Sequence, residues 1–287
     1  MELLCQNIVL LPHEAEETAI ESAMRRLGLK KSQVRQGHIY KKSLDARRRE
    51  VKFLCSVLLA VTDEQAAQRL CEKGLAIRPA AYEMPKASGK GRKLLHRPVV
   101  VGFGPAGMFA ALVLARNGYR PLVLEQGAEM DKRVAAVENF WQGGRLNERA
   151  NVQFGEGGAG TFSDGKLTTR IHDPYCRMVL EELVSFGAPA EILTTAKPHI
   201  GTDKLRPVVK ALRQEILRLG GEIRFETRLE RVEIQNGRLC GCVAEGAFLP
   251  AEAMILAPGH SARNLFRHLA EIGLSMEPKH FSVGLRI

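Results

Sequence analysis

Three glycines are spaced so that a phosphate group could lie directly against the backbone. Gly102, Gly104 and Gly107 stand in G-x-G-x-x-G order. They follow the apolar run Val99–Val101, which is typical of a strand buried on both faces, and precede an apolar segment with helical spacing. In such a turn the first glycine allows a tight bend, the second leaves room for a pyrophosphate and the third lets helix and strand pack closely. The helix start at Ala106 adds free N–H groups, which favour an anion.

An acidic residue follows where the ribose of a nucleotide could be bound. The second apolar run, Leu122–Leu124, ends on Glu125, 21 positions after Gly104. A carboxylate at that place can accept hydrogen bonds from ribose hydroxyls. Between the two strands, Asn117-Gly118 is expected to end the helix in a left-handed conformation. This order of elements predicts a βαβ unit that binds a dinucleotide; the alternative is a glycine-rich turn in an ordinary βαβ unit.

A second glycine-rich stretch, residues 151–166, holds five glycines. Glycine is costly in regular elements, so the stretch is expected to be a loop built for close backbone approach. It is interpreted either as a surface loop or, as Phe154 and Phe162 favour, as a partly buried loop that contacts a cofactor. Later strands are predicted at residues 222–227, 231–235, 238–244 and 253–256, with a hairpin at Asn236-Gly237.

The first eighty residues have a different organisation. Strands are predicted at residues 2–12, 33–42, 51–61 and 75–80, with helices at 13–29 and 64–73, the second of them capped by Thr62-Asp63. The resulting β-α-β-β-α-β order is the ferredoxin-like pattern. Residues 82–97 are small, basic and without periodicity, so they are expected to be a flexible linker. The predicted division is therefore a ferredoxin-like domain over 1–81, a basic linker over 82–97 and a Rossmann-like domain over 98–287, an α/β and α+β chain.

Charge and composition limit the possible functions. The net charge is +10, and 19 of the 42 Lys and Arg but only 11 of the 32 Asp and Glu lie in residues 1–97. That basic segment could meet an anionic partner, although a solvated surface is the more usual reason. Residues 1–12 lack the pattern of a signal peptide, and the longest apolar run, 53–61, is too short to span a bilayer. A cytoplasmic protein with reduced cysteines and no metal site is expected.

Taken together, these motifs resemble the FAD-binding oxidoreductases of the glutathione-reductase-like superfamily. The resemblance rests on the G-x-G-x-x-G turn, the acid at Glu125 and the turn Ala257-Pro258-Gly259 after a late strand. More narrowly, residues 151–167, 197–205 and 257–264 resemble a bacterial family known as uncharacterised FAD-dependent dehydrogenases. Members of that family continue well past Ile287, and residues 281–287 form a strand-like run. The chain is therefore expected to be a fragment that ends inside an element, with residues 98–287 holding the FAD-binding domain and the incomplete start of a substrate domain.

The resemblance implies an FAD-dependent oxidoreductase, a dehydrogenase whose substrate and electron donor the sequence leaves open. The expected cofactor-binding residues form one set: Gly102, Gly104, Pro105, Ala106, Gly107, Glu125, Gln126, Arg133, Gly157, Gly158, Ala159, Gly160, Thr161, Ser163, Pro258 and Gly259. Lys166, His199 and His260 are candidate catalytic residues, because each is ionisable and lies beside a glycine-containing loop. A structural role for each is the alternative. A second G-x-G-x-x-G for NAD(P) and a C-x-x-x-x-C are absent from the sequence, which argues against a disulfide reductase with two dinucleotides.

Two other functions remain open at this point. The basic N-terminal domain could make the protein an RNA-associated flavoprotein, for example one that modifies tRNA. The scarcity of sheet aromatics, Tyr40 and Phe53 being the candidates, counts against that function. Alternatively, the N-terminal domain could serve small-molecule binding or assembly, with the flavin as a structural ligand.

Overall fold

The computed structural model contains three sheets and seven α-helices among the residues it describes, which are 1–47, 50–79, 84–87, 93–163, 165–169, 171 and 173–280. Their order is β1 (Glu2–Leu10), α1 (Glu16–Leu27), β2 (Val34–Asp45), β3 (Lys52–Val61), α2 (Glu64–Glu72), β4 (Val99–Val101), α3 (Pro105–Arg116), β5 (Leu122–Leu124), α4 (Met130–Trp141), α5 (Tyr175–Ser185), α6 (Thr202–Arg218), β6 (Glu222–Arg224), β7 (Leu229–Gln235), β8 (Arg238–Ala244), β9 (Ala247–Pro250), β10 (Met254–Leu256) and α7 (Arg263–Glu271). The chain divides into two compact units, Met1–Pro85 with Gly160–Val208, and Lys86–Ala159 with Val209–Ile287.

The first unit begins with an antiparallel sheet in the order β1-β3-β2. One face of this sheet packs on helix α1, where Ala19 and Ala23 contribute to the same buried cluster as Val57 and Leu59. Small residues on the helix and branched residues on the sheet let the two elements approach closely. Asp63 caps α2, accepting hydrogen bonds from the N–H groups of the second and third helical residues, as its position in the sequence predicts.

The fourth predicted strand, over residues 75–80, is not present as a strand in the part of it that the structure describes. Instead, Ile77 makes a single antiparallel bridge with Leu4 on the free edge of β1, with N···O distances of 2.8 and 2.9 Å. Pro79 has no N–H to continue the ladder, which explains why pairing stops there. Ala80 lies outside the described residues. The ferredoxin-like assignment of this segment therefore stays a prediction.

The structure divides the chain differently from the predicted boundaries. Residues 160–208, expected to belong to the second domain, group with the N-terminal segment. The other edge of β2 pairs with them: Lys42 donates from its N–H to Thr194 O and accepts from Ala196 N–H, at 2.7 and 3.1 Å. The Arg177 guanidinium also lies 4.8 Å from the Tyr40 ring centroid. Much of the predicted linker, 80–83 and 88–92, lies outside the described residues, as do 281–287.

The second unit holds the predicted βαβ unit in a parallel sheet of order β10-β4-β5-β6. Its central strands are fully buried, and their registers pair Val100 with Val123 on one side and with Ile255 on the other. Gly118 adopts a φ of 79° after α3, so the Asn117-Gly118 end of the helix is confirmed. This strand order puts β4 between a neighbour that follows it in sequence and one that comes much later.

An antiparallel sheet, β7-β8-β9, completes the second unit. Asn236 and Gly237 have φ values of 50° and 72° between β7 and β8, which confirms the predicted hairpin. Strand β9 was not predicted, because it has four residues and follows a Glu245-Gly246 turn rather than an Asn-Gly pair. No helix among the described residues is long and apolar enough to cross a bilayer.

Candidate functional site

A cleft of about 740 Å³ opens at the carboxyl ends of β4, β5 and β10. In the parallel sheet the chain runs from β4 to β5 and then β6 on one side. It later returns to form β10 on the other side of β4. Such a switch point leaves a crevice outside the strand ends, where open α/β sheets bind ligands. Eleven residues predicted for the site line the cleft: Gly102, Gly104, Pro105, Ala106, Glu125, Gln126, Gly158, Ala159, Pro258, Gly259 and His260.

The three glycines of the first turn differ in what requires them. A Cβ on Gly107 would lie 1.9 Å from Gly102 O, and one on Gly102 would lie 2.3 Å from Ala257 O. Packing within the protein therefore requires both glycines. At Gly104 the backbone is extended, with φ −78° and ψ −176°, and a Cβ would find one described atom within 4 Å, Gly158 Cα at 3.8 Å. Neither backbone geometry nor packing requires a glycine at that position.

The amino end of α3 faces the cleft. The first main-chain hydrogen bond into this helix runs from Met108 N–H to Gly104 O, at 2.9 Å. The N–H groups of Ala106 and Gly107 precede it and have no partner within the helix, while Pro105 has no N–H at all. With the helix dipole behind them, these groups suit an anion.

Glu125 has a structural task besides the predicted contact with a ribose. Its Oε2 accepts a hydrogen bond from Phe103 N–H at 2.7 Å, and its Oε1 accepts from Gly127 N–H at 2.8 Å and Gly155 N–H at 3.0 Å. The residue is 5% exposed and lines the cleft. One carboxylate thus joins the first glycine turn to the second glycine-rich stretch, and the ribose contact stays a prediction.

Arg133 was expected within reach of a phosphate, and the structure corrects this. The residue is fully buried, and its guanidinium donates to the backbone carbonyls of residues 151, 152, 156 and 158. It is not among the residues that line the cleft. The guanidinium instead holds residues 151–158, called here the glycine-rich loop, through these four backbone carbonyls.

The glycine-rich loop contributes one wall of the cleft. Gly155 and Gly158 line it, together with Ala159. Gly157 donates from its N–H to Phe103 O at 2.9 Å and is not among the lining residues. Gly160, Thr161 and Ser163, also predicted for the site, belong to the first unit and do not line this cleft.

The three candidate catalytic residues are not brought together in one unit. His260 lines the cleft, is exposed and has Nε2 3.3 Å from Ser261 Oγ. Lys166 and His199 form an antiparallel backbone bridge in the first unit, and both are exposed. Among the predicted candidates, His260 is the one that lies in the cleft.

The prediction missed the segment of residues 227–230, which also lines the cleft. It follows β6, and Thr227 donates from its N–H to Glu125 O at 2.9 Å. Because β6 is parallel to β5, its carboxyl end reaches the same edge of the sheet, a signal that requires knowing the strand order. Arg149 was missed too; it lines the cleft and pairs with Glu245 at 3.0 Å.

The chain is similar over its whole length to a protein from a clostridium. An uncharacterised protein of Clostridium beijerinckii is 46% identical over 289 residues, which is 100% of this chain and 54% of that protein. Protein FixC of Salmonella typhi is 27% identical over 197 residues, 66% of this chain and 42% of its own length. The chain therefore spans about half the length of the curated relatives it matches. Residues 5–60 match a family model described as a domain of unknown function, DUF8436.

Two solved structures have partial similarity to the chain. Thermovibrio ammonificans THI4 aligns with a TM-score of 0.42 and 18% identity, over 63% of this chain and 64% of that one. A glycine oxidase from Bacillus cereus aligns with a TM-score of 0.41 and 12% identity, over 62% and 58% of the two chains. Both TM-scores are below 0.5.

Proposed function

We propose that the cleft binds FAD and that the chain is part of an FAD-dependent oxidoreductase whose substrate and electron donor are open. The observation that carries this is Gly104. The described atoms around it leave room for a Cβ, and an occupant of the cleft that approaches the backbone closely would account for the missing side chain. The N–H groups at the start of α3 favour an anion as the approaching group, such as a pyrophosphate.

The residues present fit such a cofactor. Gly104, Ala106 and Gly107 would hold the pyrophosphate, and Glu125 has one acceptor position left on Oε2 for a ribose hydroxyl. Gly158, Ala159, Pro258 and Gly259 lie on the lining of the same cleft. A volume of about 740 Å³ falls within the range of small-molecule sites. Bound FAD would supply hydride or electron transfer, while the protein orients and tunes it.

FAD is favoured over other dinucleotides by the resemblance of the motifs. The sequences of FixC and of the Clostridium beijerinckii protein are similar to this chain, but the names of those proteins specify no cofactor. The RNA-associated alternative finds no support in the comparisons, and it stays a prediction from the basic charge of residues 1–97. Cytoplasmic location is likewise a prediction.

The test is the visible spectrum of the purified protein, with the released cofactor identified by mass. A yellow protein that releases FAD, or a colourless one that takes up added FAD, is expected. Gly104→Val should lose the colour and keep the circular dichroism spectrum and melting temperature of the FAD-free wild-type protein, because the backbone and packing accept a Cβ there. Ala135→Val, on the exposed face of α4, is the control and should stay yellow. Failure of the wild-type protein to bind FAD under any condition would refute the proposal.

A further inference from the structure

The two carboxylate oxygens of Glu125 differ in what they can still accept. Oε1 accepts two hydrogen bonds, from Gly127 N–H at 2.8 Å and from Gly155 N–H at 3.0 Å, whereas Oε2 accepts one, from Phe103 N–H at 2.7 Å. A carboxylate has about four acceptor positions, two on each oxygen. The donors of the protein therefore fill Oε1 and leave one position on Oε2. Glu125 lines the cleft, where a ligand can reach that position.

The two donors on Oε1 are fixed by close packing of the backbone. A Cβ on Gly127 would lie 2.5 Å from both the N and the Cα of Gly155, so these two residues touch through their main chains. A Cβ on Gly155 would lie 2.4 Å from Arg133 Cδ, so that residue is also packed against the buried arginine. Neither N–H group can move away from Glu125 without disturbing these contacts.

Further hydrogen bonds hold the same arrangement. Glu156 N–H donates to Ala128 O at 3.1 Å, so the residues that follow Gly155 and Gly127 are joined as well. Arg133 donates to carbonyls on both sides of Gly155, those of residues 152 and 156. A ligand hydroxyl on Oε1 would have to displace one of two buried N–H groups and leave it without its acceptor. That loss offsets the gain from the new hydrogen bond, so Oε1 is not available to a ligand.

The open position on Oε2 lies on the side of the phosphate-binding turn. Phe103, which bonds this oxygen, immediately precedes Gly104, the residue at which α3 begins. Gly127 and Gly155, which bond Oε1, lie after β5 and in the glycine-rich loop. The available oxygen of Glu125 is therefore the one that faces the proposed pyrophosphate.

The covalent order of a nucleotide assigns this position to one hydroxyl. In an adenosine nucleotide the phosphate is attached at C5′, and C4′, C3′, C2′ and C1′ follow, with the base on C1′. The 3′-hydroxyl is thus on the phosphate side of the ribose and the 2′-hydroxyl on the base side. With the phosphates at the start of α3, the 3′-hydroxyl faces Oε2, and the 2′-hydroxyl faces the filled Oε1.

We propose that Glu125 determines the sugar specificity of the cleft by binding the 3′-hydroxyl of the adenosine ribose through Oε2 and leaving the 2′-hydroxyl unbound. The site then accepts an adenine dinucleotide that lacks the 2′-hydroxyl as readily as one that carries it, and discriminates against loss of the 3′-hydroxyl. This inference rests on the proposed function, because it concerns the ribose of the same FAD.

The test compares the dissociation constants of FAD and of two FAD analogues whose adenosine ribose lacks one hydroxyl. Flavin fluorescence measures all three with the full chain. The 2′-deoxy analogue should bind within about twofold of FAD. The 3′-deoxy analogue should bind about tenfold more weakly, because it loses a hydrogen bond to a charged acceptor. This comparison uses the wild-type protein, so it does not depend on how a variant folds.

A variant tests whether Glu125 causes the discrimination. Glu125→Gln retains one oxygen, which Gly127 and Gly155 require as their acceptor, and puts an amide nitrogen in place of Oε2. The ratio between the dissociation constants of the 3′-deoxy analogue and FAD should therefore fall from about ten toward one. Glu138→Gln, exposed on α4, is the control and should keep the wild-type ratio.

The outcomes separate this inference from the proposed function. If wild-type protein binds no FAD under any condition, both are overturned. If it binds FAD but the 2′-deoxy analogue is weakened as much as the 3′-deoxy analogue, or more, the assignment of the hydroxyl is overturned and the FAD site stands. Equal binding of all three ligands, or an unchanged ratio in a folded Glu125→Gln, would show that Glu125 does not bind the 3′-hydroxyl and would also overturn the inference.

Discussion

The carboxylate of Glu125 accepts hydrogen bonds from Phe103 N–H at 2.7 Å and from Gly155 N–H at 3.0 Å, joining two turns that are distant in the sequence. A third bond, from Gly127 N–H at 2.8 Å, completes the set. Residues with this position in a βαβ unit are expected to bind a ribose. Here the same side chain also joins the turns that form the cleft.

Replacing Glu125 should destabilise the protein even when no cofactor is present. Glu125→Ala leaves three buried N–H groups without an acceptor, and each such group costs about 1–3 kcal/mol. We expect the free energy of unfolding to fall by at least ~3 kcal/mol in urea denaturation without added FAD. Glu138→Ala, exposed on α4, should change it by less than about 0.5 kcal/mol. Equal stability of Glu125→Ala and wild type would contradict the structural role.

Alanine should destabilise the protein at Gly107 but not at Gly104. Gly107→Ala places a Cβ 1.9 Å from Gly102 O, so α3 must move away from the turn, and we expect a loss of stability of about 1–3 kcal/mol. Gly104→Ala should leave stability within ~0.5 kcal/mol, because it meets one atom at 3.8 Å. Thermal unfolding of both variants without cofactor measures the difference. Similar melting temperatures for the two would refute this account of the turn.

Removing the guanidinium of Arg133 should release the glycine-rich loop. Arg133→Met leaves the carbonyls of residues 151, 152, 156 and 158 without these donors, so amide exchange in peptides covering 151–158 should accelerate. Hydrogen-exchange mass spectrometry is the measurement. Lys132→Met, beside it but exposed and paired with Glu226, is the matched control and should exchange as the wild type does. If amide exchange in residues 151–158 is unchanged in Arg133→Met, Arg133 does not hold the loop. The predicted contact with a phosphate would then be favoured instead.

Burial of Cys242 should make the protein sensitive to alkali. All six cysteines are unpaired in the described chain, and burial raises the pKa of Cys242 from 9.0 to about 11. The contribution of this thiol to stability is complete below pH 9 and is lost as pH rises through about 11. The free energy of unfolding should therefore decline over that interval, and the decline should be shallower in Cys242→Ala.

Burial also raises the pKa values of Cys5 and Cys55, so part of the decline should remain in the variant. Parallel slopes would show that Cys242 does not titrate as expected.

Much of the local structure follows from short-range patterns. The βαβ unit of residues 99–124, the cap at Asp63 and the hairpin at Asn236-Gly237 depend on residues close in sequence, and the structure confirms each of them. Such elements are determined locally, by hydrophobic periodicity and by the few residue types that suit helix caps or left-handed turns. Eleven of the residues predicted for the site line the cleft for the same reason, since most lie directly after a predicted strand.

The sequence by itself therefore determined which turns could approach a phosphate and which strands and helices carry them. Only the tertiary structure decided what Glu125 and Arg133 do. Both are charged and buried, and buried charges must be bonded by whatever groups the fold brings near, here backbone groups up to 30 positions away. The pairing of Lys42 with residues 194 and 196 is long-range for the same reason, because an unpaired strand edge accepts any backbone that packing places beside it.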